Sequence, residues 1–103
     1  MGKKVKRGAL LEHALDVING ERQDAYGNPE QSFDVIAKFW TTYIQAKFPS
    51  TSVVFIPSDV AMMMALLKVA REVAGRGKSD NVVDLAGYAG LYGDMRYGVS
   101  DGD

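Results

Sequence analysis

Apolar positions recur at spacings of three and four in four stretches of the chain, the period of helices that bury one face. In the first stretch Leu10, Leu11, Ala14, Leu15 and Ile18 predict a helix over Ala9 to Asn19, with Gly20 as its stop signal. In the second, Phe33, Ile36, Ala37, Trp40, Tyr43 and Ile44 predict a helix from Pro29 to about Lys47. Its wide aromatic face reads as core, which helical spacing favours over stacking of Trp40 or Tyr43 on a base. The third helix runs from Ser58 to Ala74, with Ser58 or Asp59 as cap and Val60, Met63, Met64, Leu67, Val69 and Ala70 as apolar positions. Met62, Met63 and Met64 are consecutive and point in different directions, which predicts a helix covered on most sides. The fourth runs from Asp80 to about Tyr97, capped by Ser79, with Val83, Leu85, Ala86, Leu91 and Met95 apolar.

The connections are short. Glu21 to Asn28 is polar, and Gly27-Asn28 is turn chemistry before Pro29. Phe48 to Pro57 has a β-like run, Val53 to Ile56, too short and isolated for a sheet. It reads as an apolar loop that covers the helices or meets a partner. Gly75-Arg76-Gly77-Lys78 is a basic loop without the spacing or preceding strand of a phosphate-binding P-loop. The expected architecture is all-α and four-helix bundle-like. A single helical domain spans 8–98, between a basic N-terminal arm at 1–7 and a flexible acidic tail at 99–103. The arm reads as solvated, with phosphate or partner contact as its other use.

Composition narrows the function. The 103 residues fit one domain, and 47% hydrophobic content allows a real but thin core. With 12 Lys and Arg against 13 Asp and Glu, the net charge of −1 argues against a duplex-DNA binder. Zero Cys removes disulfides, thiolate metal sites and a thiol nucleophile. No apolar run reaches the ~18 residues of a membrane span, and no signal-peptide core follows the basic start. A cytoplasmic setting is therefore expected. Gly87, Gly90 and Gly93 interrupt the fourth helix, each at a cost of ~1 kcal/mol against Ala. Close approach of another helix would explain them. This face, together with Phe55 and Ile56, leads to the expectation of a homo-oligomer, a dimer or tetramer.

Candidate chemistry gathers in two places. His13 is the only His and has no promising Ser nearby, so nucleophilic catalysis is poorly supported. Lys68, Arg71 and Glu72 end the third helix, while Asp80, Asn81 and Asp84 begin the fourth. An antiparallel hairpin would bring these groups together. Asp80 and Asp84, four apart, could hold Mg²⁺, accept salt bridges from Lys68 and Arg71, or simply favour the positive end of the helix. The second cluster is Arg22, Asp24, Tyr26 and Asn28. Arg22 could grip a phosphate and Tyr26 stack on a base, or the group could be an ordinary capped turn.

The blocks Glu21 to Pro29 with Phe33, Ile36, Ala37 and Trp40, then Asp59 to Met63 with Leu67 to Arg71, then Asp80 to Tyr88, resemble a family of small phage and prophage proteins of unknown function. That family is distantly similar to the MazG-like all-α nucleotide pyrophosphohydrolases. The resemblance implies two acidic pairs on successive helices that bind Mg²⁺, with water attacking a nucleoside triphosphate. The second pair falls on Asn81 and Asp84, with Asp80 as substitute. The first falls near Lys68 and Arg71, where bases replace acids, and Lys and Arg are not Mg²⁺ ligands.

Three readings follow. The first is a MazG-like protein, encoded by a phage and acting in the bacterial host cytoplasm. It binds a nucleotide or phosphorylated ligand through Arg22, Asp24, Tyr26, Asn28, Lys68, Arg71 and Asn81, with weakened Mg²⁺-dependent hydrolysis at Asp80 and Asp84. The second is a non-catalytic protein that sequesters a nucleotide signal or inhibits a host protein. The third is a structural or assembly protein.

Overall fold

A computed structural model describes residues 7–20, 28–75 and 79–98. Four helices make up its regular structure: α1 (Ala9–Asn19), α2 (Pro29–Lys47), α3 (Pro57–Val73) and α4 (Ser79–Tyr97). No strand forms among the described residues, so the chain is all-α as expected.

Local chemistry sets the helix ends. A Cβ on Gly20 would lie 2.6 Å from the Asp16 carbonyl oxygen, so only glycine lets the chain turn away there. Asn28 caps α2 by accepting a 2.7 Å hydrogen bond from the Glu30 N–H. Helix α3 begins one residue earlier than expected, because Pro57 occupies its first turn, where an N–H would lack a partner anyway. Asp59 does cap this end, from inside the helix, by accepting from the Ile56 N–H at 2.9 Å. Ser58 is buried within the first turn and does not act as the cap.

Helix α4 packs most closely on α3, α1 lies on α4, and α2 lies on α3. The result is an open array rather than a closed bundle. The radius of gyration is 16.1 Å, against about 13 Å for a compact domain of this length. Gly87 and Gly90 serve the α1 contact. A Cβ on Gly87 would stand 3.1 Å from Ile18 Cγ2, and one on Gly90 would stand 3.6 Å from Ile18 Cδ1, while Gly93 faces open space. The close approach expected at these glycines is therefore made within the chain by α1.

Among the described residues, the buried apolar ones are all small: Ala14, Ala37, Val60, Ala61, Ala65 and Val83. Several expected core positions are exposed instead. Tyr43 stands open on α2 beneath the Lys47 ammonium, and Met63, Leu67, Val69 and Ala70 stand open on α3. Only one side of α3 meets α2 and α4, so its apolar circumference exceeds what the described residues cover. Periodicity marks an apolar face without naming the neighbour that covers it.

The segment from Phe48 to Ile56 folds back on α2. The Phe55 N–H donates to Thr41 Oγ1 at 2.8 Å, and Gln45 Nε2 donates to the Val53 carbonyl at 3.1 Å. The Trp40 and Phe55 rings meet edge to face at 6.2 Å. Trp40 is thus a packing residue, and the loop covers α2 as one of its two expected uses required. Among the described residues, no helix is long and apolar enough to cross a membrane.

Candidate functional site

The polar centre of the fold lies between α3 and α4. Small residues make it: Val60, Ala61 and Ala65 let α4 approach, and Lys68 follows Ala65 by three positions on the same side. Lys68 Nζ lies 3.1 Å from Asp84 Oδ2, with the side chains 14% and 20% exposed. Asn81, three residues before Asp84, is buried, and Tyr88 follows four residues after. Asn81, Asp84 and Tyr88 therefore share one side of α4. The Tyr88 ring stacks on Phe33 of α2 with centroids 6.3 Å apart. Phe33 and Tyr88 were not singled out as site residues by sequence reasoning. The signal for Tyr88 was its helical spacing from Asn81 and Asp84.

Of the four charges expected to face one another, the structure joins two. Arg71 is exposed and forms no ion pair among the described residues. Asp80 is exposed in the first turn of α4, where water and the positive helix end satisfy it. Asn28 spends its side-chain oxygen on the α2 cap, the ordinary-turn alternative. Arg22, Asp24 and Tyr26 lie outside the described residues, as do Arg76, Gly77 and Lys78. His13 is exposed on α1.

The expected Mg²⁺ ligands, Asp80 and Asp84, lie in different surroundings. Among the described residues, no three or more His, Cys, Asp or Glu side chains gather where they could hold a metal ion. Asp84 is committed to Lys68, and Asp80 stands apart in solvent. Mg²⁺ keeps several waters and is held through one or two carboxylates, and here the nearer carboxylate, Asp84, already carries an ammonium. What the pair offers instead is a half-dry cation with spare N–H donors, since an ammonium carries three.

Four helices with a half-buried ion pair between α3 and α4 define a small all-α domain. The chain belongs to the family described as Domain of unknown function (DUF6378), whose match spans residues 9–96. That span runs from the first residue of α1 almost to the end of α4. The chain is 40% identical over 88 residues to the Gene 55 protein of Mycobacterium phage L5, covering 85% of this chain and 53% of that protein. It is 39% identical over 83 residues to the Gene 55 protein of Mycobacterium phage D29, covering 80% and 50% respectively. The chain thus spans about half the length of the curated relatives it matches. No solved structure matches it. The expected resemblance to a phage-protein family of unknown function is met.

Proposed function

We propose that this domain binds a nucleotide or another phosphorylated small molecule at the α3–α4 junction without hydrolysing it. The half-buried Lys68, paired with Asp84, carries the reading. Arg71 lies three residues further along α3 and is free to turn its planar fork toward a phosphate. The N-terminus of α4 at Ser79 adds backbone N–H donors and a favourable dipole. Phe33 and Tyr88 supply an aromatic pair on the same side of α4 as Asp84.

The MazG-like resemblance supports the class of ligand. The departure from it supports binding over hydrolysis: Lys68 and Arg71 stand where metal-binding acids would be needed, and Lys68 occupies Asp84. The test is pyrophosphate release from a nucleotide panel with Mg²⁺, run beside equilibrium binding. Binding without release is expected. Mg²⁺-dependent release that is lost in Asp84→Ala would overturn the non-catalytic reading. Absence of binding across the panel would overturn both readings.

A further inference from the structure

Helix α3 is apolar nearly all round, and the described residues cover only half of it. At about 100° per residue, the side facing α2 and α4 carries Val60, Ala61, Ala65 and Lys68. Met62, Met63, Leu66, Leu67, Val69, Ala70 and Val73 fill the opposite arc, and all are exposed. Exposure reaches 58% at Leu66 and 81% at Val73. The charges of the last turns, Lys68, Arg71 and Glu72, fall outside that arc. The apolar stripe of this helix therefore faces outward, while Lys68 turns toward α4. A helix apolar all round belongs inside a structure.

We infer that the outer arc of α3 is a self-association face, covered by α3 of a second copy of this chain. Three observations select that occupant. First, Met62, Leu66, Val69 and Val73 follow one another at steps of four, three and four. This is the seam along which two identical helices interdigitate, and a two-fold axis makes such a stripe complementary to itself. Second, the area is of the right order. The exposed side chains of this arc alone present on the order of 500 Å², most of the roughly 800 Å² that each partner contributes to a stable interface. Third, a net charge of −1 leaves almost no repulsion between copies. The pairing also supplies the large buried side chains that the chain lacks alone. It uses α3 and leaves the glycines of α4 to their contact with α1.

Sedimentation equilibrium of the full chain from about 1 to 100 μM decides the matter, a range that spans typical dimer affinities. The wild type should sediment at twice its 11.2 kDa, and Leu66→Glu at the single-chain mass with its helical circular dichroism retained. A wild type that stays monomeric throughout, or a Leu66→Glu protein that stays dimeric, overturns the inference. Cysteine pairing covers the case in which Leu66→Glu fails to fold. The chain has no Cys, so a single introduced thiol can pair only with another copy. Met62→Cys, Leu66→Cys, Val69→Cys and Val73→Cys are oxidised mildly beside Asp94→Cys on the exposed surface of α4. At least one stripe position should give a covalent dimer where Asp94→Cys gives none. Failure at every stripe position, or equal pairing at Asp94, overturns the inference.

Discussion

The Lys68 ammonium lies 3.1 Å from an Asp84 carboxylate oxygen, and this contact ties α3 to α4 at the polar centre of the fold. Both side chains are mostly withdrawn from water. Removing the cation alone leaves a mostly desolvated carboxylate without its ammonium partner. Lys68→Met is expected to cost about 1–3 kcal/mol in chemical denaturation. Lys68→Met combined with Asp84→Leu should recover most of that loss. A single variant as stable as wild type would show that the pair contributes nothing to the fold.

The glycines of α4 separate two effects. Gly93→Ala meets no neighbour within 4 Å and should raise stability by about 0.5–1 kcal/mol through helix propensity. Gly87→Leu pushes into Ile18 and should lower it by about 1–3 kcal/mol. Unfolding midpoints measure both. Equal responses at the two positions would mean that α1 does not approach α4 at Gly87.

Most of the helical layout was legible in the sequence. Pro29 opened one helix, Gly20 closed another, Ser58 stood one residue inside the true start of a third at Pro57, and the three- and four-residue spacing gave the approximate lengths of all four. Two things were not legible. The first was which neighbour covers each apolar face: Met63, Leu67 and Tyr43 have core spacing yet stand exposed, because spacing records a helix face and not its partner. The second was which charges meet. Lys68 and Arg71 both had suitable acids within reach, but their side chains leave α3 in different directions, and only Lys68 has its partner. The glycine pattern gave close packing at Gly87 and Gly90 but not at Gly93, and could not tell that the partner was α1.

The capping of α3 gives a further check. Asp59→Ala removes the acceptor for the Ile56 N–H and should cost about 1 kcal/mol. Asp59→Asn, which keeps a side-chain oxygen, should lose less. Thermal unfolding of the two variants makes the comparison, and an unchanged Asp59→Ala protein would remove the carboxylate from the cap.

Trp40, the single tryptophan, reports on the loop from Phe48 to Ile56 because Phe55 lies against its ring. Phe55→Ala should shift Trp40 fluorescence to the red and cost about 2–3 kcal/mol, short of full core truncation because the site is only partly buried. Thr41→Val, which removes the acceptor for the Phe55 N–H, should cost about 1 kcal/mol with a smaller spectral change. An emission maximum indifferent to Phe55 would contradict the packing of this loop on α2.

The central claim is that a phosphorylated ligand sits between α3 and α4 beside Lys68. Its most direct test is a thermal-shift titration of the full chain against a nucleotide panel, with and without Mg²⁺. The account predicts that at least one phosphorylated compound raises the melting temperature with or without Mg²⁺, and that Arg71→Ala abolishes the shift while leaving the unliganded melting temperature unchanged. A panel without any shift, or a shift that Arg71→Ala leaves intact, would contradict it.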